Sequence, residues 1–398
     1  MKTGLLITVL AVLIGFMVLF KQPGGQLSIV LVGNTQGATA INDRDLMQLL
    51  EEQLQRHADA GAFDLTLNYL DASLSQSEMS RNLQDIADTT DIDALIGCTD
   101  SICMRRVLQV AEQKRIPFIY PGSSEGLFDS NYLVHLGVIA NQYLFPAVSW
   151  IRYHLGPRIF YVGGESVRSR MLGRMLSQQL LPGGSGGLVA EEYLGAFEQL
   201  PSIVQKIFDY KPDVLLFDAC EWLLHPGVVD ALKSSPARVF FLCPDQRVPD
   251  GLDAYFISHY FDNDHNPANT KVRDMLVRAP DAVSVMALSA VQFLVQLYSE
   301  PPTSANFDLA ASLRGRNALT ACGATAIDFT QQGSWHSLFI GRREAGAESL
   351  LWMSDHLLRP VMFPGYEAPS DWLHYQTIYW RNNRGLWRSG TVRGEPWL

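Results

Sequence analysis

The chain has 398 residues, 47% of them hydrophobic and 18% charged, with a formal net charge of −10. That length and apolar share give two globular domains and exclude a disordered chain. The acidic balance, without any cluster of Lys and Arg interleaved with aromatics, excludes a nucleic-acid partner.

Lys2 precedes an apolar run from Leu5 to Phe20 that only Thr8 and Gly15 interrupt. Its length lies between a signal-peptide core and a full membrane span. No small-x-small cleavage site follows, so residues 1–25 are expected to form an inner-membrane signal anchor and a Pro23-Gly24-Gly25 linker. A cleaved signal peptide is the alternative, and in either case the remainder is exported to the periplasm. Leu27 to Val32 then predicts a strand, and the loop at 34–37 is small and polar. Leu46, Leu49, Leu50 and Leu54 form a helical stripe, with Asn42 or Asp43 as its cap. Phe63, Leu65, Leu67 and Tyr69 alternate with polar residues, as in a half-buried strand.

The stretch 93–126 is the most informative. An apolar strand, Ala94 to Ile96, ends in Gly97 and the polar turn Thr99, Asp100, Ser101, where a helix should begin. Met104, Val107, Leu108 and Ala111 are one stripe of that helix, and Ile116 to Tyr120 is the next strand. Such a βαβ unit places both turns at the carboxyl edge of a parallel sheet, where open α/β sheets bind small molecules. The rhythm restarts at Gly137, with helices at 146–155 and around Met171, Leu172, Met175 and Leu176. A glycine-rich loop is expected at 182–187, and strands at 159–162, near Val189, at 214–217 and at 239–242.

Enzyme signatures are missing: the sequence has no G-x-S-x-G elbow, no phosphate-binding G-x-x-x-x-G-K-[ST] loop and no H-E-x-x-H. Ser101 has no His placed to activate it and reads as a capping or ligand-binding residue. Glu191-Glu192 and the pair Asp262 and Asp264 read as solvated charges. No catalytic residue, metal site or cofactor is therefore expected. The cysteines are Cys98, Cys103, Cys220, Cys243 and Cys322, without C-x-x-C spacing. An odd number leaves one thiol outside any disulfide. Cys220 and Cys243 both follow strand-like runs and are either neighbours in a sheet or buried thiols; the buried thiol is the reading preferred.

The same motifs carry a resemblance. Gly97, Cys98, Ser101, Val107 and Leu108, followed by Tyr120, Pro121, Glu125 and Gly126, resemble the signature of periplasmic substrate-binding proteins for urea and short amides. Those proteins are relatives of the branched-chain amino-acid binders with the type I fold. Asn141-Gln142, Pro146-Ala147-Val148, Glu191-Glu192-Tyr193-Leu194, Tyr260-Phe261 and Pro267 fall in order with it. So does a closing stretch, Trp352, Ser354, Arg359, Pro360, Phe363 and Pro364. The resemblance covers roughly residues 26–365. It implies an α/β clamshell of two lobes, each a doubly wound parallel sheet, joined by crossings near Gly137, Tyr255 and Cys322. Lobe 1 would hold 26–136 and 256–322, and lobe 2 would hold 137–255 and 323–364, with short strands at 325–329, 338–341 and 350–352; a tail follows at 365–398.

It also implies a ligand between the lobes. Thr99, Asp100, Ser101, Tyr120, Gly122 and Ser123 would serve from lobe 1. Ser166, Arg168 and Trp222 would serve from lobe 2. The departures are informative. Asp100 stands where the amide binders have Thr, Gly122 replaces Thr or Gln, and Glu165 to Arg170 lacks their two aromatics. Leu288 to Val291 replaces their Glu-Ala-Ala-Tyr run. Asp100 competes with a ligand carboxylate for the helix start, so a neutral or cationic polar ligand is expected. Asp100 and Arg168 facing each other would suit a zwitterion or pair together. The expected role is solute binding for an ABC-type permease, or ligand sensing with a partner sensor protein.

Overall fold

The computed structural model describes residues 25–388 apart from 38, 181–186, 224, 263–265, 276–279, 300–307, 331 and 366. The apolar run at 5–20, most of the glycine-rich loop and Asp264 lie outside the described residues.

The first lobe begins as strand and helix in alternation: β1 (Gln26–Gly33), α1 (Ala40–Asp59), β2 (Asp64–Asp71), α2 (Gln76–Ala87), β3 (Ala94–Gly97), α3 (Ser101–Lys114), β4 (Phe118–Tyr120) and β5 (Leu133–His135). The strands pair in parallel in the order β2-β1-β3-β4-β5. The two-residue period of β1 explains why helices cover both faces. Ile29 and Leu31 pack with Leu46, Leu50 and Leu54 of α1, whereas Val30 and Val32 pack with Met79 of α2 and Val107 of α3.

The second lobe repeats this plan with α4 (Ala140–His154), β6 (Arg158–Gly164), α5 (Val167–Gln179), β7 (Gly187–Leu194), α6 (Leu200–Tyr210), β8 (Val214–Asp218), α7 (Pro226–Lys233), β9 (Arg238–Phe241) and β10 (Ala254–Ser258). The chain returns to the first lobe for α8 (Pro267–Met275), α9 (Ala282–Ser299), α10 (Leu309–Leu313) and a small sheet of β11 (Asn317–Thr320), β12 (Gly323–Ile327) and β13 (Ser334–Trp335). Helix α9 is apolar enough to span a bilayer by length and composition, but its Val285, Met286, Phe293 and Leu294 are buried in the first lobe's core. β14 (Phe339–Glu344), β15 (Ala347–Met353) and α11 (Pro369–Asn382) complete the chain. The second sheet reads β15-β14-β10-β9-β8-β6-β7, with β14 and β15 antiparallel. Its parallel part has the same winding order as the first lobe's sheet, so each sheet has one switch point, between β1 and β3 and between β6 and β8.

Three details differ from expectation. Phe256 to Ser258 pair with β14 and stay in the second sheet, so the return to lobe 1 follows Ser258. Cys322 and Ile327 are buried in the first lobe's core, because β12 pairs with β11 and not with the second sheet. The chain then passes to the second sheet at His336 to Phe339, and Met362 of the closing stretch packs back onto the first lobe. Adjacent short strands of similar composition do not reveal which sheet they join; pairing decides that.

The resemblance motifs meet at these crossings. Asn141 donates to the Arg359 carbonyl at 2.8 Å and accepts from Val361 N at 2.8 Å, while Gln142 Nε2 donates to the Leu358 and Ser334 carbonyls.

Candidate functional site between the lobes

The rim of the first lobe is organised by a residue noted in the sequence only as a cap. Asp43 is fully buried on α1. Its carboxylate accepts from Asn34 N (2.9 Å), Asn34 Nδ2 (2.7 Å), Thr99 N (2.7 Å) and Thr99 Oγ1 (2.7 Å). It thereby ties the loops after β1 and β3 together at the switch point. Burial and the neighbouring Asp100 charge push its pKa up against those hydrogen bonds. Thr99 is thus engaged within its own lobe.

Asp100 caps α3: its Oδ1 accepts from Ile102 N at 2.7 Å and Cys103 N at 2.9 Å. The Ser101 hydroxyl beside it is buried and has no hydrogen-bond partner among the described residues. A disulfide joins Cys98 to Cys103 across this turn, a pairing the sequence reading did not make. Gly97 holds φ 147°, and a Cβ there would lie 1.9 Å from the Val32 carbonyl oxygen, so the strand end needs glycine.

Tyr120 is fully buried, and its hydroxyl donates to the Ser123 carbonyl at 2.8 Å. Burial, then Asp245, Asp100 and Glu125, push its pKa well up. Gly122 lies against that hydroxyl, where a Cβ would come within 2.5 Å of the oxygen. Ser123 N donates to Asp245 Oδ2 at 2.6 Å, a direct bond from lobe 1 to lobe 2. Arg105 and Glu125, both buried, form an ion pair with Arg105 Nε donating at 2.7 Å.

In the second lobe Ser166 caps α5 by accepting from Ser169 N. Arg168 pairs with the buried Asp218 at 2.6 Å. Burial opposes the Arg168 charge, but Asp218 together with Tyr143, Tyr161 and Glu125 outweighs it and holds the pKa well above its usual value. The expected partnership of Arg168 with Asp100 is therefore corrected. Asp218 follows β8 in Arg168's own lobe, while Asp100 already accepts from two backbone amides. Trp222 is 4% exposed in the core of that lobe and donates to the Leu194 carbonyl at 2.8 Å, so it packs as a core residue. Cys220 and Cys243 form a disulfide between the turns after β8 and β9, which corrects the reading of two buried thiols. The parallel register of β8 and β9 brings the residues just beyond them together.

Two further groups reach the site, and the second of them, the tail, was missed in the sequence reading. Glu221 lies over Gly164, where a Cβ would come within 2.0 Å of its carboxylate. From the tail, α11 buries Trp372 completely in the second lobe's core, and Arg174 of α5 stacks on Tyr375 at 3.6 Å. The residues after α11 then run to the cleft. Trp387 O accepts from Val167 N at 2.9 Å, Arg388 bridges to Ser166, and its guanidinium meets Glu221 at 2.8 Å. The indole of Trp387 stands 5.5 Å from the Arg105 guanidinium of lobe 1. Pro369 at the helix start and the 372, 375, 376, 379 spacing were available signals.

A family model described as "Periplasmic binding protein domain" matches residues 29–219. Among solved structures, this chain is similar to a solute-binding protein of an ABC transporter from Rhodopseudomonas palustris BisB5, in complex with 3,4-dihydroxybenzoic acid. The TM-score is 0.70 at 14% identity, covering 84% of this chain and 99% of that one. It is also similar to the leucine-, isoleucine-, valine-, threonine- and alanine-binding protein from Brucella ovis in its closed conformation, with TM-score 0.70, 11% identity and coverage of 84% and 97%. A leucine-binding protein from Thermotoga maritima MSB8 matches at TM-score 0.62 and 14% identity, covering 82% and 98%. The fold is the two-lobed α/β architecture of type I periplasmic binding proteins.

Proposed function

We propose that this protein is an extracytoplasmic solute-binding protein that closes its two lobes on a small polar molecule and presents it to an ABC-type importer. The observation that carries the reading is the facing pair of switch points. The parallel parts of the two sheets share one winding order, and the loops at 34–37, 99–101, 164–168 and 219–222 follow the carboxyl ends of the strands that flank their switch points. Ligands of open α/β sheets bind at such edges, and hinge closure about a few crossings is a standard route to enclosing them. The two disulfides suit an oxidising, extracytoplasmic compartment. Membrane anchoring through the N-terminal run is part of the same proposal.

Asp100 supports the ligand class. Its carboxylate occupies the Ile102 and Cys103 amides, which would otherwise receive a ligand anion. A neutral or cationic polar solute, of the urea, amide or amine kind, is therefore favoured over a simple acid. A second reading, a ligand-sensing module that signals to a partner protein, is favoured by the docked C-terminal helix, whose continuation reaches the cleft.

Calorimetric titration with urea, short amides, amino acids, polyamines and benzoate tests the proposal. Binding of a neutral or cationic member is expected. Asp100→Thr should shift preference toward amides or carboxylates by one to two orders of magnitude, if a charge-assisted hydrogen bond of about 1.5–3 kcal/mol is exchanged. Tight binding of benzoate by the unmodified protein would overturn the ligand class.

A further inference from the structure

The C-terminal segment meets the edge of the second sheet beside a carboxylate. Glu221 follows β8 and Ser166 follows β6, so Arg388 lies at the switch point of the second sheet. Burial opposes the charge of the Arg388 guanidinium, and Glu221, followed by Asp100 at the switch point of the first sheet, outweighs it with the help of Tyr379. Trp387 touches both lobes, through Val167 N on one side and Arg105 on the other. Arg105 and Arg168 are already committed to Glu125 and Asp218, and Arg106 donates to the Leu74 carbonyl. Among the described residues Glu221 forms its ion pair with Arg388, and the buried hydroxyl of Ser101 adjoins Asp100.

We infer that the switch point of the second sheet forms a subsite for an organic cation, a guanidinium or alkylammonium group held by Glu221, and that Arg388 occupies it as a tethered stand-in for that cation. The inference rests on the proposed solute-binding role and narrows its ligand. The geometry has two features such a ligand needs: a carboxylate 2.8 Å from the cation, and a neighbouring residue, Trp387, that touches both lobes at the same point. An external cation must displace Arg388 before it binds. A tethered group on a short linker acts at an effective concentration on the order of millimolar, so the tail lowers the apparent affinity of any competitor, as a fractionally available site does.

Agmatine, a guanidinium compound without a carboxylate, is the probe, titrated calorimetrically into the full chain and into Arg388→Ala and Arg388→Lys variants. Arg388→Ala is expected to bind agmatine at least about tenfold more tightly than the unmodified chain, while Arg388→Lys, which keeps the cation, remains close to it. In Arg388→Ala, amide exchange at Val167 should quicken as the Trp387 contact loosens. Agmatine affinity in Arg388→Ala that is equal to or below that of the unmodified chain, including no binding by either, overturns the inference. If urea, amides or amino acids still bind in that case, the solute-binding role stands; if no solute binds either form, both readings fall.

Discussion

Asp43 shows how much one buried carboxylate decides at the rim. It accepts from both the backbone and the side chain of Asn34 and of Thr99, so two loops from different strands depend on a single acceptor group. Asp43→Ala leaves those donors without their acceptor inside the lobe. With each buried unsatisfied group costing about 1–3 kcal/mol, the variant is expected to lose on the order of 3 kcal/mol or more in urea unfolding. Asp43→Asn retains one acceptor oxygen and should lose less. A loss under about 1 kcal/mol for Asp43→Ala would show that the loops hold without it. Pattern reading could place Asp43 at a helix start but could not reveal that Thr99, 56 residues later, donates to it. The cleft residues divide on the same principle. Asp100 was legible because a carboxylate before a helix is a local signal, whereas the partner of Arg168 depends on which strand lies next to which.

Strands and helices with strong periodicity were legible throughout both lobes, from the stripe of α1 to the βαβ unit around α3. What was not legible depends on long-range pairing: the small β11-β12-β13 sheet and the Cys220–Cys243 disulfide; α11 carried local signals in Pro369 and its apolar spacing and was missed all the same. That disulfide closes a 23-residue separation between the turns after β8 and β9. A Cys220→Ser/Cys243→Ser variant should therefore lose about 2–4 kcal/mol, read as a lower melting temperature that equals that of the reduced protein at this site. Helix α11 supplies an independent check. Trp372 is fully buried against the second lobe, so Trp372→Ala should cost about 3–5 kcal/mol. Its indole nitrogen has no hydrogen-bond partner among the described residues, so Trp372→Phe should cost much less. An equal loss for both substitutions would mean that the indole N–H, not ring volume, anchors the helix.

At the scale of the whole molecule the chain crosses between the lobes three times, and each crossing carries a buried histidine. His135 ends β5, His259 follows β10, and His336 precedes β14; all three are fully buried, with the rings of His259 and His336 5.3 Å apart. His135 binds Ser124 Oγ through Nε2 at 2.9 Å, and His336 Nε2 lies 2.6 Å from the Leu136 carbonyl. Burial lowers all three, His135 to about 3, His336 to about 4 and His259 well below its usual value; a neighbouring ring adds to the effect at His135 and His259. Folded, they are neutral at pH 7. The unfolded chain takes up their protons near pH 6.5 and the folded chain does not, so the stability they contribute is present above pH 6.5 and is lost as pH falls. Each histidine changes stability by about 1.4 kcal/mol per pH unit in that window. Asp245, at the Ser123 contact between the lobes, acts in the opposite sense. Burial raises it to about 6 against the usual 3.8, so its contribution is present below pH 3.8 and is lost as pH rises through 6. Urea unfolding of two variants at pH 5, 6 and 7 separates the two effects. Relative to the unmodified chain, His259→Phe should gain about 2 kcal/mol between pH 6.5 and 5, because it no longer has a neutral ring to keep from protonation. Asp245→Asn should instead lose stability relative to the unmodified chain as pH falls over the same range. If both variants track the unmodified chain at every pH, the crossings carry no acid sensitivity and the histidines act only through packing.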